Sequence, residues 1–417
     1  MSRLSTFPFG TTRPHPLWRG SVIGAVSLLF LLSGCATSLL ERPPAAAAVS
    51  QERVDDDTVM RLPGGLVLQK IPGIARGELE AMAADPQRDE KLAALKRDRV
   101  EKLKKKALAG DDIAQAHYAG HLAIGDGVPA DMTEAMKWYR ASAAQGNKNA
   151  ELGLAERDIF GDYPPDAKPN YEKAYPVVEA AAKRSSGRGM YWYYVYHDQG
   201  LGGVTKNPGA AQGALARSAD LGFGPAKVLL LASIGRVEES YYLLAQNLAW
   251  FTHEAEHGFP KSATVLGAFY QKEGPYRDLA KAKSWYEKAG SEPLALQRLG
   301  NFYLGGVPAI GLAPDAKKAY ALYQQAAEQG YVPAKTSITM MEAMGQAGKK
   351  PSTAALERRL KEVCEAGDVA GCELLGHIFA EGRWGYPKDA QKARHYWEVA
   401  CSRGSVEACH AIQATKG

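Results

Sequence analysis

The sequence predicts an all-α protein whose folded part is a right-handed solenoid of about eight helix pairs. Glycines typical of helix ends recur along most of the 417 residues, at a spacing near 36. Between them the apolar residues follow two amphipathic helical patterns around a short turn, most clearly in residues 114–146. The first 87 residues lack this periodicity. The sequence therefore predicts a leader and a tether followed by a repeat array.

The charge balance limits the classes of partner. The chain has 51 basic and 46 acidic residues, and residues 1–34 hold three arginines and no acid. Without that segment, 48 basic residues face 46 acidic ones. Such a balance gives no electrostatic case for a nucleic acid or an anionic surface, so no nucleic-acid partner is expected.

An apolar run at residues 21–32 follows the arginines. It is too short to span a bilayer and is typical of a signal peptide. Residues 32–35, LSGC, resemble the lipobox of bacterial lipoproteins. The resemblance implies cleavage of residues 1–34, acylation of Cys35 and, since Ala36 follows, sorting to the outer membrane of a Gram-negative bacterium with the protein facing the periplasm. Cleavage at another position, without lipid, is the alternative.

The segment 35–87 is interpreted as the lipid anchor and a mostly disordered tether. Residues 36–60 are rich in Pro, Ala and Asp and lack apolar periodicity. Residues 61–76 mix apolar residues with glycines and prolines, and we predict no element there. A helix is predicted from about Arg88 to Ala109. Contact with the membrane is expected through the lipid alone.

Helix-ending glycines define the units of the array, which we place at residues 88–417. Their successive spacings are 36, 41, 35, 36, 32, 40, 37 and 37. A period near 36 with two helices per unit predicts a tetratricopeptide-like solenoid. The glycines are Gly110, Gly146, Gly187, Gly222, Gly258, Gly290, Gly330, Gly367 and Gly404.

Inside each unit the residues resemble the Sel1-like repeat. The first unit carries Gly125-Asp126-Gly127-Val128, Asp131, Ala135, Trp138-Tyr139, Ala143-Ala144 and Gly146. The best later copies carry Leu299-Gly300, Tyr303, Asp315, Ala319 and Tyr323, then Leu375-Gly376, Gly382, Asp389, Ala393 and Tyr396-Trp397. The units at 150–187 and 226–258 are degenerate, and that at 263–290 is shortened. The aromatic residues of the motif are interpreted as core.

Four cysteines lie in the last two units, as two pairs with the same internal spacing of eight residues. Each pair brackets a helix end, a glycine and the next helix start, which can bring two Cβ atoms within bonding distance. We expect disulfides Cys364–Cys372 and Cys401–Cys409. The pattern resembles the cysteine-rich branch of the Sel1-like proteins. A zinc site built from all four is the alternative, although no CxxC is present.

Residues 253–257, HEAEH, match the HExxH motif of zinc peptidases. In that motif His253 and His257 would bind zinc and Glu254 would activate water. The alignment instead places the motif on the second helix of an ordinary repeat, with Glu273 as the only guess for a third ligand. We therefore expect a structural role, with no catalytic residue, metal or cofactor.

Alignment on the helix-ending glycines places Trp192 and Tyr196 at the positions of His117 and His121. We expect these positions to lie outside the core. First helices line the concave face of tetratricopeptide-like solenoids, so these four residues form a candidate surface for a peptide or a sugar ring. Packing of Trp192 and Tyr196 against an irregular neighbouring loop is the alternative.

The sequence thus predicts a non-enzymatic scaffold that presents its concave face to other envelope proteins. The resemblance implies support for envelope assembly, secretion or exopolysaccharide export, with a polysaccharide or peptide as a further possible ligand. Two enzymatic alternatives stay open: penicillin binding or β-lactamase-like activity, as attributed to cysteine-rich Sel1-like relatives, and zinc peptidase activity. A sensor or stress-response role is a further alternative.

Overall fold

The protein is described by a computed structural model. The predicted signal peptide and Cys35 lie outside the residues it describes. Those residues are 59–61, 67–69, 88–234, 236–348 and 351–414.

A short β-hairpin lies within the segment interpreted as a tether. Strand β1 (Val59–Arg61) pairs antiparallel with β2 (Val67–Gln69), with Met60 opposite Leu68. The sequence predicted no element here, since each strand has only three residues.

Nineteen α-helices lie in the described residues, and the first begins at Arg88 as predicted. The helices of the first half are α1 (Arg88–Leu108), α2 (Asp112–Ile124), α3 (Met132–Ala144), α4 (Lys148–Phe160), α5 (Tyr171–Lys183), α6 (Gly187–Gln199), α7 (Pro208–Asp220), α8 (Gly224–Ser233), α9 (Val237–Gln246) and α10 (Leu248–Glu256). Those of the second half are α11 (Pro260–Gln271), α12 (Leu279–Lys288), α13 (Pro293–Gly305), α14 (Ala316–Glu328), α15 (Val332–Ala343), α16 (Thr353–Glu365), α17 (Val369–Glu381), α18 (Ala390–Ser402) and α19 (Val406–Ala414).

Sixteen of these helices form eight consecutive antiparallel pairs, beginning with α2 and α3 and ending with α17 and α18. Helices α1 and α19 flank the array, and α10 is an extra helix between two pairs. Each helix packs mainly on its neighbours in sequence, as in a solenoid. The all-α fold and the number of pairs are confirmed. None of the helices in the described residues combines the length and apolarity that a membrane crossing requires.

The second helix of a pair usually starts at a capping side chain. Asp131, for example, accepts a hydrogen bond from the backbone N–H of Glu134 at 2.8 Å. The same side-chain cap precedes six other second helices, at Asn170, Asn207, Asp278, Asp315, Ser352 and Asp389. Helix α9 lacks this cap, because the residue before it is Arg236, whose side chain makes no capping hydrogen bond. The second helix of this pair is short and ends at Gln246.

The motif aromatics fill the space between helices, as predicted. Tyr139, Tyr286 and Tyr323 are fully buried. A Cβ added to Gly300 would lie only 2.3 Å from Tyr323 Cε1, so the glycine allows the tyrosine ring to touch its backbone. Small residues thus set the close approach of the two helices of a pair.

The first half of the array coils back on itself. Lys96 on α1 forms an ion pair with Asp126 at 2.6 Å and donates to the carbonyl of Gln246 at 3.0 Å. Helix α2 also approaches α10. The N-terminal helices therefore meet helices some 150 residues further along the chain.

Candidate functional site

Helix α10 carries the HEAEH motif into the interior of the coiled first half. Asn247 separates α9 from α10, and its Nδ2 donates to the carbonyl of Leu243 at 2.8 Å. The expectation that the motif lies on the second helix of an ordinary repeat is wrong. The missing cap at Arg236 and the break at Asn247 turn one helix into two short ones.

Glu254, the general base of the HExxH motif, points into the core. Its Oε2 accepts hydrogen bonds from the Tyr191 hydroxyl at 2.8 Å and from Ser262 Oγ at 2.6 Å. The residue is 1% exposed. Burial raises the pKa of the Glu254 carboxyl to about 7, although the bonds from Ser262 and Tyr191 lower it. A zinc peptidase needs this carboxylate beside a metal-bound water, whereas here its hydrogen bonds to Tyr191 and Ser262 give it a structural role.

The two histidines lie on another side of α10, beside an aspartate that follows α4. Asp162 Oδ2 lies 3.2 Å from His253 Nε2 and 4.0 Å from His257 Nε2. One ligand atom from each residue falls within 4.8 Å of the other two. Burial lowers the pKa of His253, and its contact with Asp162 raises that pKa in part. Asp162 is therefore the third possible ligand beside the two histidines. The guess at Glu273 is wrong, and the described ion pair of that residue is with Arg277.

A buried charge network surrounds this cluster. Glu156 is fully buried and accepts hydrogen bonds from Arg188 and, at 2.7 Å, from Trp192 Nε1. Arg157 donates to Asp162 Oδ2 at 2.6 Å and lies 3.6 Å from Glu156. Burial would lower the pKa of Arg188, but the charges and hydrogen bonds of Glu156 and Tyr139 together raise that pKa. Opposite charges therefore compensate one another where desolvation would otherwise be costly.

Aromatic rings close the network on its apolar side. The Phe160 ring contacts His253 and His257 edge-on, with centroids 4.5 and 5.3 Å apart. Trp192 packs against Phe160 and Phe259 at 5.3 and 5.6 Å. The rings separate the polar cluster from bulk water on one side.

The candidate surface at Trp192 and Tyr196 is wrong, because both residues are fully buried. Tyr196 donates to the carbonyl of Tyr171 at 2.9 Å. Phe302 and Ile378 occupy the position of Tyr196 in two other units, and both are buried as well. These positions face neighbouring helices of the stack, so the assumption that the core does not need them fails.

The histidine pair of the first unit occupies a different environment. His117 is exposed. Its ring is still partly desolvated by neighbouring groups, and this desolvation together with the charge of Arg188 lowers its pKa. His121 is partly buried, and its Nδ1 lies 2.8 Å from the carbonyl of Asp126. Only His117 of the four candidate residues remains an exposed side chain.

Comparison with known families decides the identity of the array. The Sel1 repeat family model matches residues 112–147, 188–223, 260–292, 293–331 and 369–405. The chain therefore contains five Sel1 repeats. The Sel1 array also forms helix pairs in the stretches without a match, and one of these contains the broken pair and α10.

Curated relatives of this Sel1-repeat protein match over part of their length. Cytochrome c oxidase assembly factor 7 of Xenopus tropicalis is 28% identical over 116 residues, covering 27% of this chain and 49% of the relative. An uncharacterized protein of Neisseria meningitidis serogroup B is 25% identical over 317 residues, covering 72% of this chain and 60% of the relative. The chain therefore spans about half to three fifths of the length of these relatives.

Two similar solved structures are Sel1-like proteins of bacteria. A protective antigen of uropathogenic Escherichia coli is 24% identical, with a TM-score of 0.36, covering 76% of this chain and 67% of that one. A Sel1 repeat protein from Oxalobacter formigenes is 20% identical, with a TM-score of 0.35, covering 83% and 96%.

The two predicted disulfides of the Sel1 array are confirmed. Cys364 bonds Cys372 and Cys401 bonds Cys409, with Cα–Cα distances of 4.8 and 4.9 Å. The bonds tie α16 to α17 and α18 to α19. The alternative of a zinc site built from the four cysteines is wrong.

A groove opens between α15 and α16 of the Sel1 array, with a volume of about 270 Å³. We call it the α15/α16 groove. Its apolar lining includes Val332, Ile338 and Val363, and its charged lining residues are Lys335, Arg359 and Glu362.

Sequence reasoning missed Asp162 and the buried pair of Glu156 and Arg188. Asp162 follows the helix-ending Gly161 as Asp126 follows Gly125, so alignment could have identified the position. Its proximity to His253 depends on the path of α10, which no sequence pattern indicates.

Proposed function

We propose that this Sel1-repeat protein is a lipid-anchored, periplasm-facing scaffold that binds other proteins of the bacterial envelope. The observation that carries the proposal is the continuous stack of eight helix pairs, which offers a long surface built from repeated units. Sel1-repeat proteins generally mediate protein–protein interaction, and their fold is typically non-enzymatic. Assemblies for secretion, envelope construction or exopolysaccharide export are the partners proposed.

The location rests on two independent features. Residues 32–35 and Ala36 fit a lipoprotein sorted to the outer membrane. Disulfides persist in oxidising compartments such as the periplasm, and the Sel1 array holds two. Both features support a periplasmic array behind a lipid anchor.

We place the partner-binding surface at the α15/α16 groove. Trp192 and Tyr196 of the first half are fully buried, so their side chains are not available to a partner. The groove instead combines an apolar floor around Ile338 with charged groups on both helices. Apolar contacts inside a charged rim are the usual anatomy of a protein-binding surface.

In-cell photo-crosslinking tests the scaffold. A photoreactive phenylalanine at Ile338 should yield a defined crosslinked protein. The same residue at Lys137, which is exposed on α3, serves as the control and should yield none. Equal crosslinking from both positions, or none from Ile338, would overturn the proposed surface. Acylation of the purified protein by a labelled β-lactam, or turnover of a wall peptide, would contradict the non-enzymatic role.

Membrane fractionation tests the anchor separately. Cys35→Ser should release the protein from the membrane fraction and abolish labelling by palmitate. Ala36→Asp should keep the lipid and move the protein to the inner membrane. A Cys35→Ser protein that stays in the outer membrane would contradict the anchor while leaving the scaffold intact.

A further inference from the structure

We propose that Asp162, His253 and His257 form a binding site for one divalent transition metal, with zinc as the expected ion. The site lies where the connection after α4 meets α10. It is independent of the proposed scaffold surface, which lies on α15 and α16.

The spacing of the ligand atoms fits such an ion. Tetrahedral zinc with bonds of about 2.0–2.1 Å holds its ligand atoms about 3.4 Å apart. Asp162 Oδ2 lies 3.2 Å from His253 Nε2 and 4.0 Å from His257 Nε2. All three ligand atoms lie within 4.8 Å of one another.

The hydrogen bonding leaves the required lone pairs available. His257 Nδ1 lies 2.7 Å from the carbonyl of His253, which can only accept, so Nδ1 carries the proton and Nε2 is free to bind. His253 Nε2 makes no directed hydrogen bond, although it lies near Asp162. Asp162 Oδ1 is likewise unpartnered, in a side chain only 8% exposed. Buried polar atoms of this kind ordinarily find a partner.

The surroundings supply an outer shell. Arg157 donates to Asp162 Oδ2, the oxygen that lies near both histidines, and so holds the carboxylate in place beside them. Glu156 lies 3.6 Å from Arg157 and offsets its positive charge. The Phe160 ring covers both imidazoles.

The site serves as a cross-link rather than a hydrolytic centre. Tyr191 and Ser262 both donate to Glu254 Oε2 and hold this carboxylate in the core, which favours a structural role for it. A bound ion would instead join the α4–α5 connection to α10 and secure the coil of the first half. The His257 side chain, 26% exposed, gives the ion an entry path.

Calorimetric titration of the untagged full chain in detergent with Zn²⁺ tests the site. Wild type should bind one equivalent, and His253→Gln with His257→Gln should abolish binding. His117→Gln with His121→Gln is the matched control, because this pair has the same spacing and also lies near a carboxylate; it should retain the equivalent. Asp162→Asn should weaken binding at least tenfold. Zinc should raise the Tm of wild type and leave the Tm of the variants at Asp162, His253 and His257 unchanged.

Co²⁺ absorption covers the case in which the double variant fails to fold. Wild type loaded with Co²⁺ should show the visible bands of low-coordinate cobalt, and Asp162→Asn should shift or lose them. Binding that survives His253→Gln with His257→Gln in the folded variant overturns the proposal. So does the absence of a stoichiometric equivalent in wild type, or cobalt bands unchanged by Asp162→Asn.

Discussion

The Tyr191 hydroxyl donates a 2.8 Å hydrogen bond to Glu254 Oε2 across 63 residues of sequence. Ser262 donates to the same oxygen, so the carboxylate joins α6, α10 and α11 in one buried contact. A residue whose motif predicts catalysis is therefore a link between helices of a repeat array.

Tyr191→Phe should lower the free energy of unfolding by about 1–3 kcal/mol, because a buried acceptor loses one of its two donors. Urea denaturation followed by circular dichroism measures the change. Tyr193→Phe is the control on the same helix, since Tyr193 is partly exposed and stacks on His197, with ring centroids 4.2 Å apart. Equal effects of the two substitutions would contradict the structural role of the Tyr191 hydroxyl.

Glu156→Ala should destabilise the array by about 3–5 kcal/mol, because it leaves the largely buried Arg188 guanidinium without its counter-charge. Glu134→Ala breaks the exposed pair with Lys137 and should cost at most about 1 kcal/mol. Thermal unfolding of both variants measures the difference. A Glu156→Ala protein as stable as Glu134→Ala would show that the charge network is not buried as described.

Gly300→Ala should destabilise by about 1–3 kcal/mol, since the new methyl group would overlap the Tyr323 ring. Gly213→Ala should instead stabilise slightly, by up to about 1 kcal/mol. Gly213 lies exposed in α7, has no heavy atom within 4 Å of an added Cβ and gains helix propensity. Changes of the same sign in the two variants would argue against the packing assigned to Gly300.

Glu373 should make the free energy of unfolding fall as the pH rises from about 4.5 to about 7. This residue is 3% exposed, and burial raises the pKa of its carboxyl to about 7, although Ser405 lowers it. The folded state holds the proton more tightly than the unfolded state, so its contribution is complete below pH 4.5 and lost above pH 7. The loss amounts to about 3 kcal/mol.

Urea midpoints across this pH range should therefore depend less steeply on pH in Glu373→Gln, with Glu254 carrying part of the slope that remains. Glu365→Gln, at an exposed position of α16, should keep the wild-type slope. A Glu373→Gln profile that retains the full slope would contradict the assignment.

The sequence was sufficient for the fold because the array repeats local signals. Asp131 and its counterparts cap second helices, and glycines such as Gly300 make room for a tyrosine. Both effects act between neighbours in sequence, so periodicity alone predicts the helix pairs and the disulfide positions.

The site was not predictable in the same way. Trp192 and Tyr196 were assigned to a surface because a regular solenoid leaves its concave face open. Here the break at Asn247 directs α10 into that interior, and it meets Asp162 and Tyr191 from earlier units. Contacts over such separations depend on the curvature of the whole array, which one repeat does not encode.

Binding of the crosslinked partner to the purified chain is the most direct test of the scaffold. Calorimetry should give a saturable complex with wild type, and Ile338→Asp in the α15/α16 groove should weaken it at least tenfold while the Tm stays unchanged. No complex with wild type, or equal affinity for Ile338→Asp, would contradict the account.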